Sequence, residues 1–153
     1  MLTGKQQAIF QPLKEAAWLA YCARKPAGNP NSPEDREAWY RKVLVQELGI
    51  WSTKEIPGND QEKFDALCLV FATITGDTEQ IKYWSSAAER RALWLLKMTM
   101  QNAGVDTAYV RGIARKMNMG DRPIEDLPAE LILKLNTAVF IYMKRKERKH
   151  AIV

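Results

Sequence analysis

The sequence predicts an all-α fold of six or seven helices, arranged as one compact domain, 1–153, or as two small lobes, 1–76 and 77–153. Three observations carry this. Apolar residues recur at three- and four-residue spacing along most of the chain, helix caps and stop signals punctuate those stretches, and no alternating β-branched run bounded by turn residues occurs.

The elements follow in order. Thr3-Gly4-Lys5-Gln6 matches a capping box, and Ile9, Phe10, Leu13, Ala16, Ala17, Ala20 and Tyr21 then form a helical stripe to about Arg24. Pro12 interrupts it, and because proline lacks an N–H and crowds the preceding turn, a kink or a fresh helix start is expected there. Lys25 to Pro33, with three prolines and a glycine, reads as a loop. Ser32 is placed to cap the next helix, with Pro33 in its first position and Asp35 at the capping-box position; that helix runs to Leu48 and stops at Gly49, with Trp39, Tyr40, Val43, Leu44 and Leu48 on its apolar side. Ile50 to Asn59 is a connector with one turn at Ser52 to Glu55. A third helix starts at Asp60, carries Phe64, Leu67, Val70, Phe71 and Ile74 and ends at Gly76, after which Asp77 opens a short helix through Trp84. Ser86-Ala87-Ala88-Glu89 is a second capping box, opening a long helix with Leu93, Leu96 and Met100 on one face that stops before Gly104.

The stretch from Asp106 to Leu135 says most about function. Asp106 caps a helix on which Tyr109, Val110, Ile113, Ala114 and Met117 share one face, while Arg111, Arg115 and Lys116 fall largely off it. Gly120 supplies a chain reversal, Pro123 a fixed φ, and Pro128 the first residue of a last helix whose Leu131, Leu135, Val139 and Tyr142 face the core. The predicted core comprises Phe64, Leu67, Phe71, Leu93, Val110, Ile113, Leu131 and Leu135.

At 153 residues the chain is long enough to bury roughly 70% of its unfolded surface without a covalent staple. Cys22 and Cys68, each within an apolar helical pattern, read as small buried hydrophobes in a reducing compartment. The N-terminal ten residues lack a basic region followed by a long apolar run, and no apolar stretch approaches the ~20 residues that span a bilayer, so a cytoplasmic protein without a membrane partner is expected. The net charge of +5 is unevenly spread. Glu34 to Asp65 holds eight acidic and five basic residues, net −3; Glu89 to Lys116 holds six basic and two acidic, net +4; and the tail Lys144 to Lys149 adds five basic and one acidic, another +4.

Recognisable catalytic chemistry is missing. His150 is the only histidine and lies in the basic tail, so a nucleophile–histidine pair would have to be built from a terminus. Two cysteines with one remote histidine do not make a zinc site, and neither Gly-rich nucleotide loop, GxxxxGK[ST] or GxGxxG, is present. Glu34, Asp35 and Glu37 suit a helix dipole and need no catalytic role. The expectation is a non-enzyme without cofactor or metal. Of the five tryptophans, Trp18, Trp39 and Trp94 sit inside apolar helical patterns and are expected in the core, whereas Trp51 and Trp84 fall at element ends and are the two candidates for surface contact, although core packing is favoured even for them because tryptophan is highly buried on average.

AYVRGIARKM, 108–117, followed by IEDLPAELILKL, 124–135, resembles the C-terminal motif of the GemA-type regulatory proteins of Mu-like phages and prophages. In that motif an aromatic-Val/Ile-Arg-x-Ile-Ala-Arg helix precedes an acidic-Leu turn and a Leu-rich helix. The resembling positions are Tyr109, Arg111, Ile113, Ala114, Arg115, Leu127 and Leu131, with ERRALWLL before them a weaker match. Residues 1–80 resemble small prophage-encoded helical proteins and bring no functional motif. The resemblance implies a prophage-linked regulatory role and supplies no catalytic residue.

The connector from Asn118 to Leu127 is about ten residues, longer than the three or four of helix-turn-helix base readers. The expected function is therefore non-specific nucleic-acid binding through phosphate, with Arg111, Arg115, Lys116, Lys144, Arg145, Lys146, Arg148 and Lys149 as contacts. The competing class is a non-catalytic adaptor that docks a host or phage protein through an apolar or acidic helix face.

Overall fold

The computed structural model describes residues 1–25 and 32–151, in which seven α-helices and no strand are found. The predicted loop from Lys25 to Pro33 falls mainly on 26–31, outside the described residues. The chain forms two compact units, Met1–Ser85 and Ser86–Val153. The first holds α1 (Gly4–Arg24), α2 (Pro33–Val43), α3 (Gln61–Thr75) and α4 (Thr78–Ser85); the second holds α5 (Ala87–Ala103), α6 (Thr107–Lys116) and α7 (Ala129–Ala151).

In the first unit, local chemistry sets most helix ends. Thr3 Oγ1 accepts from the Gln6 N–H and Gln6 Oε1 from the Thr3 N–H, so two donors that the helix leaves unpaired are satisfied reciprocally. α1 then runs unbroken through Pro12, with neither a fresh start nor an interruption. Pro12 is exposed, so the carbonyl it orphans meets water, while Phe10, Leu13, Ala17 and Trp18 bury the other side and hold the helix together. Ser32 caps α2 by accepting from the Asp35 N–H, and the helix continues past Val43 as a π-helical turn, Leu44–Leu48, closed by Gly49. α3 ends at Gly76, whose φ of +71° favours glycine and beside which a Cβ would strike the Arg24 guanidinium. Arg24 donates to the carbonyls of Ile74 and Thr75, placing a cation at the negative end of that helix.

The core of this unit is aromatic. Phe71 receives Phe10 and Trp39 edge-on, with ring centroids 5.0 and 5.9 Å away. Trp84, a candidate for surface contact for which core packing is favoured, is 8% exposed and meets Phe64 edge-on at 5.9 Å, because α4 packs back on α3. Cys68 is fully buried as expected, but Cys22 only partly, since it lies on the edge of the α1 stripe.

The core of the second unit is aliphatic, built from Leu96, Val110, Ile124, Leu127, Ile132, Leu135 and Val139, with α5 against α7 as its most extensive pairing. Leu93, Ile113 and Leu131, predicted as core, are only partly buried at its border. On α7 the inward trio is Ile132, Leu135 and Val139, and Leu131 lies one residue, about 100°, around the helix from Ile132. The capping box at Ser86 does not form. With ψ at 15°, Ser86 lacks the extended backbone that aims an N-cap oxygen at the first turn, and its hydroxyl accepts from Arg90 instead.

Candidate nucleic-acid interface

α6 is a short amphipathic helix fixed at both ends. Asp106 Oδ1 accepts from the Tyr109 N–H at 2.9 Å, and Val110 and Ala114 are buried. The end comes at Asn118, not first at Gly120 as the sequence suggested: Asn118 adopts φ +59°, its N–H donates to the Arg115 carbonyl, and the Met119 N–H reaches back to Ala114. These two bonds form a Schellman motif, and Met119 drops into the core beside Ala114 to complete it. From there Ile124 and Leu127 pin the connector to the core through a 3-10 turn, Ile124–Asp126, and the Pro128 carbonyl accepts from Leu131 and Ile132 as α7 begins. The connector between the helices is therefore long but anchored at three apolar points.

This scaffold leaves Arg111, Arg115 and Lys116 exposed on α6, and Lys144, Arg145, Lys146, Arg148 and Lys149 exposed on α7. The burial of α7 ends at Val139, with Tyr142 and Met143 partly covered; every residue from Lys144 to Ala151 is exposed, so the last two turns are a basic helical extension. Tyr142, Arg145, Lys146, Arg148 and Lys149 border a shallow concavity along it. Tyr109 and Tyr142 bring their ring centroids to 5.0 Å, which sets the first turn of α6 beside the start of that extension. Partial burial, followed by the neighbouring Tyr142, pushes the Tyr109 phenol up from its ordinary value.

Among the described residues, two of the eight cations have acidic neighbours. Arg115 lies 3.3 Å from Asp121 and Lys144 3.3 Å from Glu147, while Glu130 reaches Lys134 rather than an arginine of this set. All these pairs are exposed, and exposed pairs contribute ~0–1 kcal/mol, too little to withhold a cation from phosphate. Charge also divides between the units. The first carries ten basic and eleven acidic residues, the second thirteen and seven, so a net of −1 accompanies a net of +6.

Of the tryptophans expected in the core, Trp94 is placed elsewhere. Trp94 is 64% exposed on α5, because Ala92, Leu96, Thr99 and Ala103 take the inward positions and Trp94 falls two residues from both Ala92 and Leu96, on the opposite side. The 4-3-4 spacing of those four residues was the signal that could have found it. Trp51, at an element end, is 65% exposed, against the core packing favoured for it. Among the described residues no cluster of histidine, cysteine, aspartate and glutamate could hold a metal ion, and no helix is long and apolar enough to cross a membrane. Compared with protein-family models, curated proteins and solved structures, the chain matches none of them.

Proposed function

We propose that the second unit binds nucleic acid through its phosphates, with little sequence preference, and that it does so in a prophage-linked regulatory role of the kind its resemblance to the GemA-type family implies. The observation that carries this reading is the basic extension of α7, exposed on every side from Lys144 to Ala151, together with the exposed Arg111, Arg115 and Lys116 of α6 in a unit of net charge +6. Cations arranged in this way neutralise phosphates and release condensed counterions, a gain that is blind to base sequence. The connector argues in the same direction: α6 ends at Lys116 and α7 starts at Ala129, a separation longer than the turn of a helix-turn-helix.

A second reading, a non-catalytic adaptor for a host or phage protein, draws on the half-exposed Leu133, Phe140 and Ile141 of α7. A salt titration against duplex DNA separates the two. Four to six phosphate contacts give a log–log slope of roughly −4 to −5 against salt. Alanine at Arg111, Arg115 and Lys116 together flattens it by up to about three units, equally for unrelated sequences. No affinity for duplex or single-stranded DNA at low salt refutes the nucleic-acid reading and leaves the adaptor.

A further inference from the structure

The exposed face of α5 deepens that reading, on which it rests. Trp94, 64% exposed, has Arg91 three residues before it and Lys97 three after, both exposed and on the same side of the helix. Met98, four residues on, is exposed as well, and from Arg90 to Ala103 the helix carries no acidic residue. A large flat ring bracketed by cations, in a unit of net charge +6, complements a ligand that is both polyanionic and planar. An acidic peptide would match the cations and leave the indole face without a partner; duplex DNA would match the cations and keep its base faces stacked inside.

We propose that Trp94 is a stacking platform for an unpaired base of a single-stranded nucleic acid, with Lys97 and Arg91 flanking the phosphates on either side of that base. Trp51, the other strongly exposed tryptophan, does not fit this role. The Arg41 guanidinium already lies over its ring at 5.3 Å from the centroid, Glu55 accepts from its backbone N–H, and its unit has a net charge of −1. Among the described residues no aromatic ring or cation lies over the Trp94 ring.

The test compares the full chain with its Trp94→Ala and Trp94→Phe variants on two probes of equal length and charge, single-stranded oligothymidylate and an abasic oligonucleotide. Trp94→Ala is expected to weaken oligothymidylate binding by about fivefold to a hundredfold, the range found when a base loses an aromatic partner, and to leave the abasic probe within a factor of two. Trp94→Phe, which keeps a ring, restores most of the affinity. The salt slope stays unchanged in both variants, because no phosphate contact is removed. Equal binding of the two probes by the wild type, equal losses on both in Trp94→Ala, or no loss on either, overturns the stacking site while the phosphate reading stands. Binding of neither probe by the wild type overturns both.

Discussion

Replacing Ile132 and Leu131 separately by alanine tests the packing of α7, the helix that presents the basic extension. Ile132 is fully buried in the second core, against a border position for its neighbour Leu131. Ile→Ala removes three carbons, about 2.4 kcal/mol of transfer free energy at ~0.8 kcal/mol per methylene. Incomplete closure of the hole adds to this, bringing the cost to roughly 3–4 kcal/mol, within the range of buried Ile→Ala changes. Leu131 loses the same number of carbons but has part of them in water already and leaves no closed cavity, so about 1–1.5 kcal/mol is expected. The larger figure is decisive against a unit of this size: Ser86–Val153, at ~0.05–0.15 kcal/mol per residue, has only about 3–10 kcal/mol in hand. Urea denaturation followed by helical circular dichroism reads both variants directly. Equal costs, or a cost below about 1 kcal/mol for Ile132→Ala, would refute the assignment of the inward face.

The two cysteines should label differently in the native protein, Cys68 very slowly and the half-buried Cys22 sooner, with both fast in denaturant; rapid native labelling of Cys68 contradicts its burial. Burial, and then the nearby Asp65, pushes the Cys68 thiol up to about 12 from an ordinary value of 9.0. The raised folded value means that stability from the neutral thiol is complete below about pH 9 and drains away between 9 and 12, by up to ~1.4 kcal/mol per pH unit. Lysines and tyrosines titrate there too, so the measurement is the difference from Cys68→Ala, which should lose less over that window; identical pH profiles would refute it. At Asn118, φ +59°, valine should lower stability by about 1–3 kcal/mol while glycine changes it by no more than ~0.5 kcal/mol, and equal thermal midpoints for the two variants would dispose of the Schellman assignment.

What could be read from the sequence divides along physical lines. Caps at Thr3, Ser32 and Asp106 depend on a side-chain oxygen and the three residues after it, and all three accept the expected N–H. Ser86 carries the same signal and does not cap, because its backbone angles are set by the preceding helix, which reaches Ser85 before α5 starts at Ala87. The exposure of the eight basic residues was legible for an equally local reason: an unpaired charge does not leave water. The Arg115–Asp121 contact was not legible, because it crosses a turn whose left-handed residue, Asn118, carries no unambiguous signature.

Burial of large apolar residues is different, since it is decided by which face of a helix finds a neighbour. Periodicity constrains that face without naming it. On α5 two faces compete, one through Ala92, Leu96 and Ala103 and one through Trp94, Leu95 and Met98; residue size favours the second and the structure takes the first. The small residues win because α7 approaches α5 closely along its length, and alanines allow that approach where tryptophan would hold the helices apart. The large side chains are consequently turned outward, where they are costly to leave in water and useful only if something covers them. The error at Trp94 and the stacking proposal at Trp94 thus have one origin: α5 carries more apolar surface than its core position consumes.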